Sequence, residues 1–325
     1  MATMRFVYGP VPSRRLGLSL GVSPIPPKVC NYSCVYCQLG RTDRLTATRA
    51  MFFPVADIVR EFAAALPEAG RLDAVTIVGE GEPTLYSGLG ELIGQIGARA
   101  DTPLAVITNG ALLSDPQVRA ELAGADIVLP SMDAWDEESF RRINRPHGRL
   151  RWADVHAGLL AFSHEYPGQL WLEIMLMRGV NDDDASLRRY ARLLREVRYD
   201  RLYLNTPVRP PAEPEVQAVD HQTMARAAEA LGATSIDLLA SDGFRSEIAD
   251  DYDAVLSIIR RHPMNAFELQ AFLGVRGVGD SAALLERLSG DPAIERVHYR
   301  GIDTFRLRPR PGGAGHDRPG RGQGL

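Results

Sequence analysis

Short apolar runs recur along the first two thirds of the chain, at 18–22, 74–78, 104–107, 127–129, 170–175 and 202–204. Most are nearly continuous in apolar residues, as strands covered on both faces are. Between them the period changes. Val55, Ile58, Val59 and Phe62 fall at i, i+3, i+4 and i+7, and Leu187, Tyr190, Ala191 and Leu194 repeat that spacing, so both segments read as amphipathic helices. Six strands with helices between them predict an α/β fold with a parallel sheet and an outer helical layer. In such folds the loops leaving the C-terminal strand ends carry the chemistry, because the scaffold is rigid and the loops are free to vary.

After Asp250 the strand–helix rhythm stops. Val255, Ile258 and Ile259 begin a helix, 267–272 and 282–288 suggest two more, and 294–299 with 304–307 reads as a hairpin turning near Gly301. Helices followed by a hairpin predict a small winged-helix-like α+β module. The expected organisation is a core domain over 1–250, this module over 251–308, and a Gly/Pro/Arg-rich disordered tail over 309–325. The module suits either nucleic-acid or partner binding, or a cap docked on the core.

Charge favours the cap. The formal net charge is -4, yet the last twenty residues hold five arginines against Asp317, so they carry +4 and the rest carries -8. A basic tail on an acidic body leaves only that tail as a weak RNA contact. Its composition cannot bury a core, so removing residues 311–325 is expected to leave the melting temperature and solubility of the protein unchanged. No charged segment followed by an apolar run opens the chain, and no stretch approaches the roughly 18 apolar residues of a membrane span. The expected location is the cytoplasm, with no membrane partner.

The three cysteines of the chain lie within eight residues, Cys30-Asn31-Tyr32-Ser33-Cys34-Val35-Tyr36-Cys37. An odd count excludes a full disulfide framework, and the clustering points to one metal site in a reducing compartment. Thiolates at i, i+4 and i+7 can wrap a compact cluster. Three of them cannot complete the four irons of a 4Fe-4S cube, which in all-protein sites takes four cysteines, so one iron is left for a small molecule. The alternative is tetrahedral zinc, which needs a fourth protein ligand. The histidines begin only at His147, 110 residues beyond Cys37, although a distant residue could fold back.

Cys30-x3-Cys34-x-Tyr36-Cys37 resembles the signature of the radical S-adenosylmethionine superfamily. The resemblance implies a partial (βα)6 barrel and a 4Fe-4S cluster on Cys30, Cys34 and Cys37. The amino and carboxylate groups of S-adenosylmethionine would chelate the open iron. Tyr36 would then lie beside the adenine. The stretch Gly79-Glu80-Gly81-Glu82-Pro83-Thr84 follows the second strand and resembles the Gly-Gly-Glu-Pro motif of that superfamily, with Glu80 in place of the first glycine. A carboxylate or carbonyl there can accept from the methionine ammonium. The ends of strands three and four, with Asn109 and with Ser131 and Asp133, are implied to meet the ribose and the methionine carboxylate. The alternative for Ser131 or Asp133 is a helix N-cap before 137–143. Strand five runs into Asn181 and strand six into Asn205 and Arg209, polar ends expected at the mouth. Asn205 is a candidate substrate contact, and Arg145 and Arg209 are candidates to hold a carboxylate or phosphate of the substrate.

The segments 9–17, 26–28 and 38–42 resemble a subgroup grouped with the wyosine-forming tRNA enzymes, and the likeness covers residues 5 to about 212. Those enzymes carry a further cysteine set for a second cluster, which this chain lacks. The resemblance implies reductive cleavage of S-adenosylmethionine to a 5'-deoxyadenosyl radical that abstracts hydrogen from a substrate. It also implies an electron donor of flavodoxin or ferredoxin type. A tRNA-modifying enzyme, an activase of a partner enzyme and, outside enzymes, a zinc-binding scaffold are the rival functions.

Overall fold

The computed structural model describes residues 4–236, 244, 246, 248, 250–278 and 281–308. The expected tail over 309–325 lies outside the described residues. The chain opens with an antiparallel pair, β1 (Val7–Ser13) and β2 (Gly17–Val22). A short parallel pair, β3 (Val29–Cys30) and β4 (Arg44–Leu45), brackets the cysteine loop. Then come β5 (Ala74–Ile77), β6 (Leu104–Thr108), β7 (Ile127–Pro130), β8 (Gln169–Met175), β9 (Arg201–Asn205) and the two-residue β10 (Thr234–Ser235). They form one sheet in the order β1-β2-β5-β6-β7-β8-β9-β10, parallel from β2 onward.

All six expected strands form, each within one residue of its predicted ends. The added antiparallel β1 was hidden by Pro10 and Pro12, which cannot donate to a ladder. It sits at the sheet edge, where proline is tolerated. Seven helices follow the strands: α1 (Val55–Ala65), α2 (Leu89–Gly97), α3 (Pro116–Leu122), α4 (Glu137–Ile143), α5 (Trp152–Glu165), α6 (Asp184–Leu194) and α7 (His221–Leu231). The two helices read from periodicity are α1 and α6, and their apolar positions Ile58, Phe62, Leu187 and Tyr190 are buried against the sheet.

Alternation along each strand divides its side chains between two cores. On β8, Leu170, Leu172 and Ile174 face the helices, while Trp171 lies on the inner face. There Trp171 packs with Ala105, Leu129 and Tyr203 and fills the inside of the sheet along the early and middle parts of the strands. Farther along the same inner faces come Glu173 and Met175 on β8 and Asn205 on β9, which line a cavity instead. The polar turn of the inner face at the C-terminal strand ends is what opens the site.

The C-terminal segment orders as α8 (Asp251–Ile259), β11 (Met264–Asn265), α9 (Ala266–Val275), α10 (Ser281–Gly290), β12 (Ile294–Tyr299) and β13 (Ile302–Leu307). This is a winged-helix succession with a three-stranded sheet β11-β13-β12. Tyr299 pairs with Ile302, so Arg300 and Gly301 alone make the turn, with φ of 53° and 79°. Positive φ at both positions matches the twist of a tight hairpin. The core of the module, with Val255, Leu269, Phe272 and Phe305, is continuous with Tyr8 and Val11 of β1. The module therefore covers the otherwise open edge of the main sheet. No described helix is long and apolar enough to cross a membrane.

Candidate active site

Cys30 ends β3, and Cys34 and Cys37 follow in a loop held from behind by the segment after α4. Ser33 N donates to Asn144 O at 3.0 Å, Val35 N to Ile143 O at 3.0 Å, and His147 N to Asn31 O at 2.8 Å. The three thiols are partly exposed and face one cavity of about 600 Å³, within the usual range for ligand sites. Asn109 Nδ2 lies 3.6 Å from Cys30 Sγ, and Asn144 Nδ2 lies 3.5 Å from Cys34 Sγ. Burial pushes all three thiols above their ordinary pKa, so as bare thiols they are protonated, and it takes a metal to hold them as thiolates.

Two features fit an iron–sulfur cluster and its small ligand at this place. Asn31 Oδ1 accepts from Asn109 Nδ2 at 2.6 Å, but Asn31 Nδ2 is buried with no protein partner, an amide donor beside Cys30. Gly81 passes so close to the cysteine loop that a Cβ would lie 1.8 Å from Val29 O. Only glycine allows the strand end and the loop to meet there.

The carboxylate of Glu82 is 2% exposed and occupied by the protein itself. Its Oε1 accepts from Thr84 N at 2.9 Å, Thr84 Oγ1 at 2.6 Å and Thr108 Oγ1 at 2.6 Å, and its Oε2 accepts from Asn109 N at 2.8 Å. Burial raises its pKa and these donors pull it back. Glu82 thus ties the end of β5 to the end of β6, which leaves the backbone of Gly79 and Gly81 as the open acceptor surface. Pro83 starts a buried 3-10 turn, Pro83–Leu85, and is absent from the cavity wall. Glu80 reaches the other way, to Arg261 of the C-terminal module at 3.5 Å.

Asp133 also faces inward. It accepts from the Tyr36 hydroxyl, from Met175 N at 2.9 Å and from Asn144 Nδ2 at 3.1 Å, so it fixes the cysteine loop to β8. Neither it nor Ser131 caps α4, whose N-cap is Asp136, closed in a reciprocal pair with Ser139. Ser131 and Asn109 do line the cavity. Asn181 does not: it is fully buried, bonded to Met177 N at 2.7 Å, Met175 O at 2.8 Å and Tyr190 OH at 2.9 Å.

Of the three candidate substrate contacts, Asn205 and Arg209 line the cavity. Arg145 does not; its guanidinium pairs with Glu213, which Arg41 grips from the solvent side. Arg209 directs its fork at Glu268, at 3.0 and 3.2 Å, and at the Pro263 carbonyl. Residues that sequence reasoning left out also reach the cavity. Arg15 pairs with Glu173 across the barrel, and the C-terminal module adds His262 and Glu268. The acid of β8 had a signal, a lone carboxylate in the apolar run Leu170 to Met175. His262 had none, because nothing local shows that its module roofs the site.

The comparison with known families agrees with this geometry. Residues 25–205 match the family model of the Radical SAM superfamily. The chain belongs to the radical SAM superfamily. This radical SAM chain is 33% identical over 310 residues to UPF0026 protein MJ1312 of Methanocaldococcus jannaschii, across 92% of this chain and 94% of that one. It is 36% identical over 221 residues to a protein named GTPase Obg of Brachyspira hyodysenteriae, where the match takes up 68% of this chain but only 32% of the relative. Among solved structures it resembles TYW1 with a lysine-pyruvate adduct bound, at a TM-score of 0.50 and 21% identity, over 66% of this chain and 72% of that one. That likeness is one of fold, the partial radical SAM barrel. Membership makes the protein an enzyme of the radical SAM type, implies a 4Fe-4S cluster and S-adenosylmethionine, and requires a reductant and a substrate.

Proposed function

We propose that Cys30, Cys34 and Cys37 hold a 4Fe-4S cluster, and that the chain binds S-adenosylmethionine against it and takes hydrogen from a substrate held in the same cavity. The observation that carries this reading is that the only three thiols of the chain, from one loop, face the same cavity as the strand end Gly79–Glu82. When bound, the cluster and cofactor supply one-electron cleavage of the sulfonium and hydrogen abstraction by the adenosyl fragment.

The residues of the chain do the rest. Gly79 and Gly81 offer carbonyls to the methionine ammonium, and Glu82 keeps those strand ends aligned. Asn109 and Asn144 direct amide hydrogens at two of the thiolate sulfurs, a contact that tunes cluster potential. Asp133 holds Tyr36, which would stand at the adenine side. Residues 1–250 form the core domain and 251–308 a cap whose His262, Asn265 and Glu268 line the mouth of the cavity. A cavity of about 600 Å³ supports a small substrate over a tRNA or a partner protein, with a flavodoxin- or ferredoxin-type donor as the electron source.

Anaerobically reconstituted protein given dithionite and S-adenosylmethionine is expected to release 5'-deoxyadenosine, and a deuterated true substrate to pass its label into that product. Zinc uptake at one per chain, with no iron and no 5'-deoxyadenosine, would overturn the proposal.

A further inference from the structure

The cavity wall collects guanidinium groups away from the cysteine loop. Arg14 and Arg15 lead into β2, and Arg209 follows β9; all three line the cavity. Arg15 uses its Nη1 to hold Glu173, and Arg209 uses both Nη atoms to hold Glu268. Arg14 has no ion-pair or hydrogen-bond partner for its side chain among the described residues, although it stands at the wall of a partly enclosed site.

His262 joins them from the C-terminal module. Its ring nitrogens have no protein partner among the described residues, and its ring stands 6.5 Å from that of Tyr8 and 6.4 Å from that of Phe244. Burial first, and then the charges of Arg209, Arg15 and Arg261, push its pKa down to about 3, so the imidazole is neutral. The neighbouring Arg261 anchors this segment to the cofactor side. Its carbonyl accepts from Gln38 Nε2 at 3.1 Å, next to Cys37, and its guanidinium faces Glu80.

Glu173 and Glu268 balance the charges of Arg15 and Arg209, which leaves Arg14 as the cation of this wall with no acidic partner among the described residues. We propose that the wall formed by Arg14, Arg15, Arg209 and His262 binds one anionic group of the substrate, a carboxylate or a phosphate monoester. This rests on the assignment of the cavity as the site where substrate meets S-adenosylmethionine. A guanidinium fork matches either oxyanion in two parallel hydrogen bonds. Neutral imidazole adds one N–H donor at no cost in like-charge repulsion. A single uncompensated cation suits a single anionic group and not a polyphosphate.

The test is isothermal titration calorimetry on the full chain with its cluster reconstituted, at low ionic strength, with saturating S-adenosylmethionine and no reductant. Saturation keeps the cofactor's own carboxylate site filled. Acetate is the probe in one arm and inorganic phosphate in the other, and the arm that binds identifies the group. One anion per chain is expected, at least tenfold weaker in Arg14→Gln and in His262→Phe. Arg14→Lys, which keeps the charge, should recover most of the loss. Arg60→Gln, on the exposed face of α1, should bind as the wild type does. No binding in either arm, or binding that Arg14→Gln and His262→Phe leave within twofold, overturns the inference. Release of 5'-deoxyadenosine by the same wild-type sample tests the cofactor assignment separately, so cleavage without anion binding removes the anion site alone.

Discussion

Alanine at Cys30, Cys34 or Cys37 is expected to abolish the brown charge-transfer absorbance of the reconstituted protein and to reduce its iron from about four per chain to near zero. The chain has no other thiol, so no neighbour can move in as a replacement ligand. The nearby polar groups cannot substitute either: Asn109 and Asn144 present amide hydrogens to the sulfurs, and Asp133 is bound to Tyr36, Met175 N and Asn144. The three variants should fold, because each cysteine is only partly buried on the cavity wall and alanine removes a single sulfur atom there. Iron assay and visible absorbance read the cluster, and far-ultraviolet circular dichroism reads the fold. Full iron loading in any one variant would remove that cysteine from the site, and with it the three-ligand geometry that leaves an iron for S-adenosylmethionine.

Glu82→Ala is expected to retain iron but to bind S-adenosylmethionine at least tenfold more weakly, with a loss of fold stability as well. Removing the carboxylate strands the buried N–H of Thr84 and the half-buried N–H of Asn109, and a buried donor left without a partner costs about 1–3 kcal/mol. The Thr84 and Thr108 hydroxyls can rotate toward other acceptors, so the two backbone groups set the scale. A loss of that size should lower the melting temperature by several degrees. The cofactor effect follows from the same contacts, since Glu82 joins the ends of β5 and β6 whose backbone faces the cavity. Glu82→Gln keeps one acceptor oxygen and turns an amide donor toward a donor, Asn109 N or the Thr84 and Thr108 groups. It should fall between Ala and the native residue in both measurements. Unchanged cofactor affinity and melting temperature in both variants would show that this carboxylate does not organise the strand ends.

The sequence alone determined the elements and the chemistry that are encoded locally. Nearly continuous apolar runs marked six strands because a strand buried on both faces has no polar position to spare, and the change to a 3.6-residue period marked α1 and α6. Three thiols within eight residues were legible as a candidate metal site because their spacing lets one loop present them together, and the fold does bring all three to one cavity. The glycine-rich end of the second strand was legible for a similar reason, since Gly81 is required by a contact only 52 residues back, at Val29 O. Side-chain direction was not legible. Asn181 and Asn205 both follow apolar strands and read alike, yet Asn181 satisfies every polar atom inside the protein while Asn205 faces the cavity. Arg145 read like Arg209, and the fold turned it outward to Glu213. Tertiary structure alone decided that Arg15 would meet Glu173, 158 residues away, and that a helix-and-hairpin module would seat on β1 and send His262 into the barrel mouth. Such contacts leave no period in the sequence, because a pairing between distant residues is set by where the strands end and not by their neighbours along the chain.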